Sequence, residues 1–568
     1  VILAKKIAIV KDIRLAKPHR AHIDILEKLT FANLNRGRNI TTFRALYDAW
    51  LAACSVETLT KEFFTKLSEL FFDTSDSVAT RFPDENERRL FVQTLFNRLI
   101  FLRFVEEKGW MKIDGRYDYL QALWEKARDS NQPLWPTRLN ALFRAVNHEI
   151  GHEAHIVAKP LIGDVVYLNG GLFDEDPRFV DPEIKIPDEV FEKLLGPEGL
   201  FYRYNFTVEE STPLDVQVAV DPEILGKIFE QLTISSKRHD TGSYYTPREI
   251  VQFMCREALV GYLTSPRPSG GEGSGVRGLP EAKARALVYE HQKDDLTEIE
   301  GDRVSKALKA IKVVDPACGS GAYLLGMLQE LYALFNLMNL RFGELDSNQQ
   351  HERKLWIIEN NLYGVDLQAF ATNTAMLRLW LTLLVEDTGL TPQPLPNLEY
   401  KIETGDSLLG PDPSQPIDWS KVQRGLDFEG LDETVDALRK LRAAYQDSHG
   451  PAKAEVKSTF EANLADLREK VTGTREKDPA KFDWRVEFFD VFLEDPKQRQ
   501  PGFDAVLANP PYVRQELIKD QKPALKAAFG AFFSGTADLY TFFYARSVHL
   551  LQPGGMLAFI SSNKWFRA

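Results

Sequence analysis

The tetrapeptide Asn509-Pro510-Pro511-Tyr512 places unusual chemistry directly after a short apolar run. The run is typical of a buried strand, and the two prolines end it abruptly. The side-chain oxygen of Asn509 and the carbonyl of Pro510 can each accept one hydrogen of an exocyclic amine, and Tyr512 can stack on a flat ring. The alternative is a tight turn without a ligand. The first interpretation predicts a site for an amino-purine or an amide.

A second group of candidates lies in the segment VVDPACGSGAYLL. An apolar strand ends in Asp315, a turn of small residues follows with Ala317, Gly319 and Gly321, and a helix then begins. Glycines let a ligand lie against the backbone, and a helix N-terminus faces that position. The line G-S-G-A-Y-L lacks the third glycine of a dinucleotide fingerprint. The segment is therefore either the ligand-binding crossover of a doubly wound sheet or only a tight turn.

Two acids end the next strands of the same sheet. Asp366 follows a strand in NLYGVDLQ, and Asp406 follows another in ETGDSLLG. At these strand ends a carboxylate can accept hydrogen bonds from ribose hydroxyls or from an adenine amino group. Each acid alone could equally be a helix cap or a turn residue. Together with the glycine turn they predict one nucleoside-bearing ligand that spans three strand ends.

The segment GSYYTPREIV precedes these strands and carries Tyr245, Thr246 and Pro247. Proline is favoured at the first turn of a helix, so the pattern predicts a helix that begins here. A capped helix start with core aromatic side chains is one interpretation, and a ligand-binding edge is the other.

These candidates need a parallel sheet to bring them together. Strands and helices alternate from about residue 311, which is typical of an α/β fold. The predicted strands are Lys312–Val314, Leu362–Val365, Tyr400–Glu403, Ala505–Leu507 and Met556–Ile560. Residues before about 200 have apolar side chains at helical spacing.

We therefore expect residues 1–50 to be the remnant of an N-terminal region, 51–235 a helical connector domain and 236–568 the α/β domain. A disordered linker is predicted at 265–300 from its Gly, Ser and Pro content, and an exposed helical hairpin at 425–475 from its charged helical pattern. Glu106-Glu107-Lys108 matches the E-x-K part of a nuclease motif, but it lies in an amphipathic helix and is interpreted as chance.

Composition indicates a globular protein of several domains. The 568 residues carry a net charge of −12, although the first 40 contain nine Lys or Arg against three acids. That basic run is either a nucleic-acid contact or a solvated face. No apolar stretch approaches the roughly 18 residues of a membrane span, so no membrane partner is expected. The three widely spaced cysteines predict neither disulfides nor a zinc site, which fits a reducing cytoplasm.

In combination and order, these segments resemble the amino-group DNA methyltransferases of the γ-ordered adenine-N6 class. GSYYTP and DPACGSGAY are similar to the cofactor motifs of that class, Asp366 and Asp406 to its ribose- and adenine-contacting acids, and NPPY to its catalytic tetrad. Upstream, LFNRLIFLRFVEEKGWM and DPEILGKIFEQLT resemble the helical connector of fused restriction–modification enzymes of the type IIG (Eco57I-like) group.

The resemblance implies a Rossmann-like sheet that binds S-adenosylmethionine and methylates a flipped-out adenine in double-stranded DNA. It implies Asn509, Pro510, Pro511 and Tyr512 as catalytic residues. The implied cofactor-binding residues are Tyr245, Thr246, Pro247, Asp315, Ala317, Gly319, Gly321, Asp366, Asp406 and Asn509. No metal site is expected.

The group's nuclease and target-recognition domains are not found in this sequence. The chain is therefore expected to be a fragment whose C-terminal end is truncated, and Mg²⁺ would matter only to a nuclease outside it. Two alternatives stay open. One is a methyltransferase for RNA or for a protein glutamine, whose amide resembles the adenine edge. The other is a DNA-binding subunit that has lost catalysis.

Overall fold

The computed structural model describes the greater part of the chain. The described residues are 7–9, 23, 26–35, 40–53, 56–168, 171–204, 206, 215–217, 246–265, 278–341, 349–387, 389, 392–415, 429–448, 450–493 and 501–563. The chain divides into two compact units, one of residues 1–232 with 380–395 and one of residues 233–379 with 396–568.

The division differs from the predicted domains in two respects, the first being that residues 1–50 fall in the same unit as the predicted connector and not in a separate region. The unit boundary at 232/233 lies beside the predicted boundary at 235/236, but residues 380–395 also belong to the first unit. One contact that joins this segment to the rest of the unit is a backbone hydrogen bond in which Leu395 N donates to Leu168 O at 2.7 Å. Nothing local in the sequence indicates a contact of this kind.

The first unit is built mainly from helices, as the helical spacing of its apolar residues predicts. They are α1 Phe31–Asn35, α2 Phe43–Ala53, α3 Val56–Ser77, α4 Glu85–Glu107, α5 Tyr119–Asp129, α6 Leu134–Val146, α7 Glu153–Ile162, α8 Asp188–Leu195 and α9 Leu200–Arg203, with 3-10 turns at Gly171–Phe173 and Pro177–Val180. Two short strands, β1 Ile7–Ile9 and β2 Asp215–Gln217, pair in parallel.

The E-x-K match in α4 has a structural use. Glu106 is buried and accepts hydrogen bonds from Leu120 N and from the Tyr202 hydroxyl, both at 2.8 Å. Burial raises the pKa of Glu106 to about 7. Lys108 Nζ donates to the Asp387 carbonyl at 3.0 Å. These contacts occupy Glu106 and Lys108 in holding elements of the unit together.

The second unit contains a parallel sheet of five strands. They are β3 Val313–Asp315, β4 Leu362–Asp366, β5 Ile402–Thr404, β6 Phe503–Ala508 and β7 Leu551–Phe559. Each predicted strand overlaps one of them, and the predicted α/β class with a parallel sheet is confirmed. The residues of β3 and β6 are buried throughout, as expected for strands covered on both faces.

Helices connect and cover these strands. They are α10 Arg248–Thr264, α11 Glu281–Tyr289, α12 Glu298–Ala310, α13 Ala322–Leu337, α14 Gln349–Asn360, α15 Ala369–Glu386, α16 Glu429–Asp447, α17 Gly450–Thr472, α18 Trp484–Glu487, α19 Phe489–Phe492, α20 Lys522–Phe529 and α21 Leu539–Leu550, with 3-10 turns at Pro479–Lys481, Lys519–Gln521 and Gly530–Phe532. Residues 380–386 of α15 belong to the first unit.

The strand order is β5-β4-β3-β6-β7, so the direction of the crossovers reverses between β3 and β6. Parallel strands all end at the same edge of a sheet, and ligands of open α/β sheets bind at that edge beside the reversal. Asp366 is the last residue of β4, and the glycine turn, Asp406 and Asn509 follow the carboxyl ends of their strands. The topology therefore collects the predicted site residues at one place.

The predicted disordered linker 265–300 is wrong over much of its length. Residues 281–289 form α11, whose Ala284, Leu287 and Val288 are buried at helical spacing. Helix α12 begins inside the same range, with a capping box between Thr297 and Glu300. The Gly- and Ser-rich composition upstream hid this short helical pattern. Residues 266–277, where that composition is concentrated, lie outside the described residues.

The segment at 425–475, predicted as an exposed helical hairpin, contains α16 and α17 but is not exposed on every side. Val435 and Leu438 on α16 share a buried cluster with Phe460 and Leu464 on α17 and with Phe489 on α19. The abundance of charged residues in this segment describes only its solvent face. The other face stabilises the pair of helices against the unit.

A group of buried charges adjoins this cluster. Asp490 on α19 accepts a hydrogen bond from the Tyr363 hydroxyl of β4 at 2.6 Å, and it pairs with Arg442 on α16 at 2.9 Å and with Lys401 at 3.5 Å. Burial alone would raise the pKa of Asp490. The charges of Arg442 and Lys401 lower it by more than burial raises it, so this pKa lies well below its usual range. Through these contacts Asp490 links Arg442 of the insertion to Tyr363 of the sheet.

We predict that Asp490→Asn lowers the free energy of unfolding by about 3–5 kcal/mol, because Arg442 would keep its buried charge without the carboxylate. Since the folded pKa of Asp490 lies below its unfolded value, its stabilisation exists at neutral pH and is lost as pH falls below about 4. Urea unfolding at neutral and acidic pH measures both effects.

Asp466→Asn is the matched control, because Asp466 forms an exposed pair with Arg475 on the same insertion. A surface pair contributes roughly 0–1 kcal/mol. Equal losses in the two variants would contradict a special role for Asp490.

Candidate functional site

The glycine turn after β3 uses its two glycines for different reasons. Gly319 and Gly321 have φ of +51° and +80°, in the left-handed region that favours glycine. A Cβ on Gly321 would lie 3.0 Å from Ala375 Cβ on α15, whereas a Cβ on Gly319 would meet nothing within 4 Å. Gly321 therefore allows close packing of helix on turn, and Gly319 leaves open space above the backbone.

Asp366 ties the end of β4 to this turn. One carboxylate oxygen accepts from Gly319 N at 3.0 Å, and the other accepts from Gln368 N at 2.9 Å. Burial raises the pKa of Asp366, although the two backbone donors lower it. A carboxylate has about four acceptor positions, so two backbone bonds leave it able to accept hydrogen bonds from a ligand.

Asp315 is only 2% exposed, and its Oδ1 accepts from Ala317 N at 3.0 Å. Burial raises its pKa well above the usual range, and the nearby Asp366 raises it further. The structure thus gives Asp315 and Ala317 a role in shaping the turn. A contact of either residue with a ligand stays a prediction.

The loop after β5 contacts the glycine turn. Asp406 Oδ1 accepts from Leu408 N at 2.8 Å and from Leu409 N at 3.0 Å. The Ser407 hydroxyl donates to Pro316 O in the glycine turn at 2.6 Å. Asp406 therefore has the turn geometry that the sequence left as one alternative, and its loop contacts the glycine turn directly.

The amide of Asn509 is oriented by a distant residue. Its Nδ2 donates to Thr246 Oγ1 at 3.1 Å, across 263 positions of the chain. Thr246 is buried, and a further hydrogen bond joins it to the Tyr323 hydroxyl of α13. Pro247 follows at the start of α10 with φ −57°, as the sequence pattern predicts. Tyr245 lies outside the described residues.

The rest of the tetrapeptide is held by α21. Tyr512 contacts the ring of Tyr540, with centroids 6.0 Å apart and planes inclined by 50°. Leu539 N donates to Val513 O at 3.0 Å, and Gln515 N donates to Asp538 Oδ1 at 3.0 Å. Pro510 is buried, and Pro511 is partly exposed. The segment after β6 is therefore held at Asn509 by Thr246 and at Tyr512 by α21.

Several contributors have no local signal in the sequence. Arg378 on α15 donates to Ser320 O in the glycine turn at 2.7 Å. Tyr323 and Tyr540 contact the predicted site from helices whose pattern indicates only core packing. Apolar periodicity predicts that such aromatic residues are buried, but it does not say which polar group each hydroxyl or ring meets.

Two negative findings apply to the described part of the chain. None of its helices combines the length and apolar character that crossing a bilayer requires. Within the same residues, no group of three His, Cys, Asp or Glu side chains is placed to hold a metal ion.

Two protein-family models match overlapping parts of the chain. Residues 360–568 match the family described as Eco57I restriction-modification methylase, and residues 290–395 match the MmeI DNA-methyltransferase domain. The second range contains the glycine turn and Asp366, and the first contains Asp406 and the tetrapeptide from Asn509.

Individual relatives cover more of the chain. A Methanocaldococcus jannaschii protein named as a type II restriction enzyme and methyltransferase is 27% identical over 560 residues, 84% of this chain and 45% of the relative. The adenine-specific methyltransferase PglX of Lacticaseibacillus casei is 22% identical over 339 residues, 56% of this chain and 25% of the relative. The structure of the type IIL restriction-modification enzyme MmeI with DNA matches with TM-score 0.48 and 15% identity, over 86% of this chain and 48% of that chain. This chain spans less than half of each.

We predict that Gly321→Ala destabilises the second unit by about 2 kcal/mol or more. Left-handed backbone costs an alanine roughly 1–2 kcal/mol, and the new methyl group must also displace Ala375. Urea unfolding compares it with Gly319→Ala, which has the same backbone strain but no neighbour to displace. Gly321→Ala should lose more free energy of unfolding than Gly319→Ala, by the cost of displacing Ala375. Equal losses in the two variants would contradict the close contact with Ala375.

Proposed function

We propose that this chain, whose residues 360–568 match the Eco57I restriction-modification methylase family and whose residues 290–395 match the MmeI DNA-methyltransferase domain, transfers a methyl group from S-adenosylmethionine to the N6 amine of adenine in DNA. The observation that carries the proposal is the hydrogen bond between Asn509 and Thr246. It orients a side-chain amide at the carboxyl end of β6, beside the reversal of strand order, and turns the amide oxygen away from Thr246.

The residues at the strand ends fit the proposed cofactor. Gly319 offers a backbone without a side chain and with open space above it, while Asp366 and Asp406 supply carboxylates at the ends of β4 and β5. Leu367, directly after Asp366, is 65% exposed and offers an apolar surface for a flat base. The cofactor supplies, when bound, a methyl group on a sulfonium sulfur. We assign its ribose to Asp366 and its adenine to Asp406.

The tetrapeptide fits the acceptor amine. The oxygen of the Asn509 amide and the carbonyl of Pro510 would each accept one amine hydrogen, which increases electron density on the nitrogen. Tyr512 would stack on the target ring. These contacts need the base outside the duplex, so the proposal includes base flipping, whose cost of a few kcal/mol the stacking and hydrogen bonds offset.

In this reaction the main task of the protein is to position the reacting groups. An amine that has been methylated carries a positive charge and readily releases its proton, so a strong general base is not required. Holding the amine in line is the main contribution of the chain. The rigid backbone of Pro510 and Pro511 suits that task, because each proline fixes one φ angle.

The choice of DNA adenine rests on what the similar proteins are named. One relative is named a restriction enzyme and methyltransferase, another is named adenine-specific, and one matched family is a DNA-methyltransferase domain. We further propose that the whole protein is a fused type IIG enzyme or another defence methylase, with target recognition and cleavage supplied outside this sequence.

The proposal is tested by incubating the chain with methyl-labelled S-adenosylmethionine and mixed-sequence bacterial DNA, then identifying the labelled nucleoside. We predict label in N6-methyladenosine. Asn509→Ala should reduce transfer by at least about 10²-fold while the Kd of the cofactor changes little, because the amide contacts the target amine. Calorimetry with the cofactor on the same samples separates binding from transfer.

Asn463→Ala is the control, since Asn463 in α17 of the insertion likewise donates through its Nδ2, in this case to the nearby Thr459 O. It should retain full transfer. Full activity of Asn509→Ala would refute the assigned role. Label in RNA or protein glutamine, in parallel incubations, would replace DNA as the substrate, and cofactor binding without any transfer would favour a DNA-binding subunit.

A separate prediction concerns Asp366. Asp366→Ala should raise the Kd of S-adenosylmethionine by roughly tenfold or more, because two ribose hydroxyls would lose a charged acceptor. Asp176→Ala is the matched control, since Asp176 in the first unit also accepts from a backbone N–H two residues on, at 2.9 Å. Calorimetry measures both, and an unchanged Kd in Asp366→Ala would exclude the assigned contact.

A further inference from the structure

A buried arginine on α21 is not used by the proposed chemistry but reaches the loop that follows Asp406. Arg546 is only 1% exposed. Its Nη1 donates to Pro411 O at 2.8 Å, and its Nη2 donates to Leu408 O at 2.6 Å and to Gly410 O at 2.7 Å. Three backbone carbonyls of one short loop thus converge on one guanidinium.

The same loop is held from its other side by Asp406. Leu408 N donates to Asp406 Oδ1 while Leu408 O accepts from Arg546, so a single residue connects the carboxylate with the guanidinium. Gly410 cannot be larger, because a Cβ there would overlap the carbonyl of Phe482. The loop therefore has little freedom to reorient, and the position of Arg546 limits the position of Asp406.

An arginine is suited to this place and a lysine is not. The guanidinium presents five donors in a flat fork, so it can serve three carbonyls at once, whereas an ammonium is a compact charge. Burial lowers the pKa of Arg546 to about 10, partly offset by Asp412 and Asp406, so the side chain stays charged at neutral pH. A buried cation is costly to keep, and here it is compensated chiefly by carbonyl oxygens.

The other end of α21 is fixed to the tetrapeptide. Leu539 N bonds to Val513 O, and Tyr540 contacts Tyr512. Arg546 lies seven residues beyond Leu539, about 10 Å along the helix axis. One rigid helix therefore spans from the segment proposed to hold the target amine to the loop proposed to hold the cofactor's adenine.

We propose that Arg546 is a positioning residue that, by holding the carbonyls of residues 408, 410 and 411, orients Asp406 and so sets the chain's preference for an amino group on the cofactor's purine. This inference rests on the proposed function. An adenine presents its 6-amino donor to the carboxylate, whereas hypoxanthine presents a 6-oxo acceptor there. A site built to accept a hydrogen bond discriminates strongly against such an analogue.

The test compares S-adenosylhomocysteine with its deaminated analogue S-inosylhomocysteine by calorimetry. The native chain should bind the adenosyl compound more tightly. In Arg546→Met we expect the ratio of the two Kd values to fall by roughly tenfold, since one well-placed charged hydrogen bond has about that effect on affinity. Arg546→Lys should give an intermediate ratio, because an ammonium can still serve part of the loop.

Arg98→Met is the matched control in the first unit. Arg98 is also buried and donates to two backbone carbonyls, Leu172 O and Asp174 O, both at 2.8 Å, and burial likewise lowers its pKa to about 10. Its replacement should lower stability in thermal unfolding while leaving the ratio of the two Kd values unchanged. If Arg546 had only a structural role, Arg546→Met would likewise lower stability and leave the ratio of the two Kd values unchanged.

The outcomes separate the inference from the proposed function. If Arg546→Met folds and keeps the native ratio, the inference is overturned and the proposed function stands. If the native chain binds neither compound, the proposed cofactor is overturned and the inference with it. Should Arg546→Met fail to fold, Arg546→Lys decides, since a native ratio in that variant contradicts the inference and a reduced ratio supports it.

Discussion

The hydrogen bond from the Asn509 amide to Thr246 joins residues separated by 263 positions, and the geometry of the proposed site depends on it. A side chain at the end of a strand can take several rotamers, and an amide can present either its nitrogen or its oxygen. With the nitrogen committed to Thr246, the oxygen is directed elsewhere. The start of α10 and the end of β6 must then stay in register for the site to keep its form.

That register is maintained by a sheet that brings many turns to one edge. The bond from Gly319 N to Asp366 links the ends of the neighbouring strands β3 and β4, and the bond from Ser407 to Pro316 reaches from the loop after β5 to the glycine turn. Arg378 on α15 holds the same turn through Ser320 O. These bonds all involve backbone atoms of short turns, so a change in one turn is passed to the next. The glycine turn lies at the centre of this arrangement because β3 has neighbours on both sides.

The sequence predicts the sheet well because its strands are buried apolar runs that end in polar residues, as in FDAVLANPPY. It predicts the location of Asp366, Asp406 and Asn509 for the same reason, since parallel strands share one carboxyl edge. It fails where composition masks periodicity, as in α11, and where charged residues cover one apolar face, as in α16. It gives no sign of Arg546, whose partners lie 135 to 138 residues earlier.

The second unit uses buried charge in two different ways. Around Asp490, buried cations face a carboxylate, and the pairing serves to attach the insertion to β4. Around Arg546, the hydrogen-bonding partners are neutral carbonyls, so the positive charge is not cancelled by direct pairing. It remains able to attract the nearby carboxylates Asp412 and Asp406. Arg546 therefore holds the loop after Asp406 through neutral carbonyls, whereas Arg442 holds the insertion through a carboxylate.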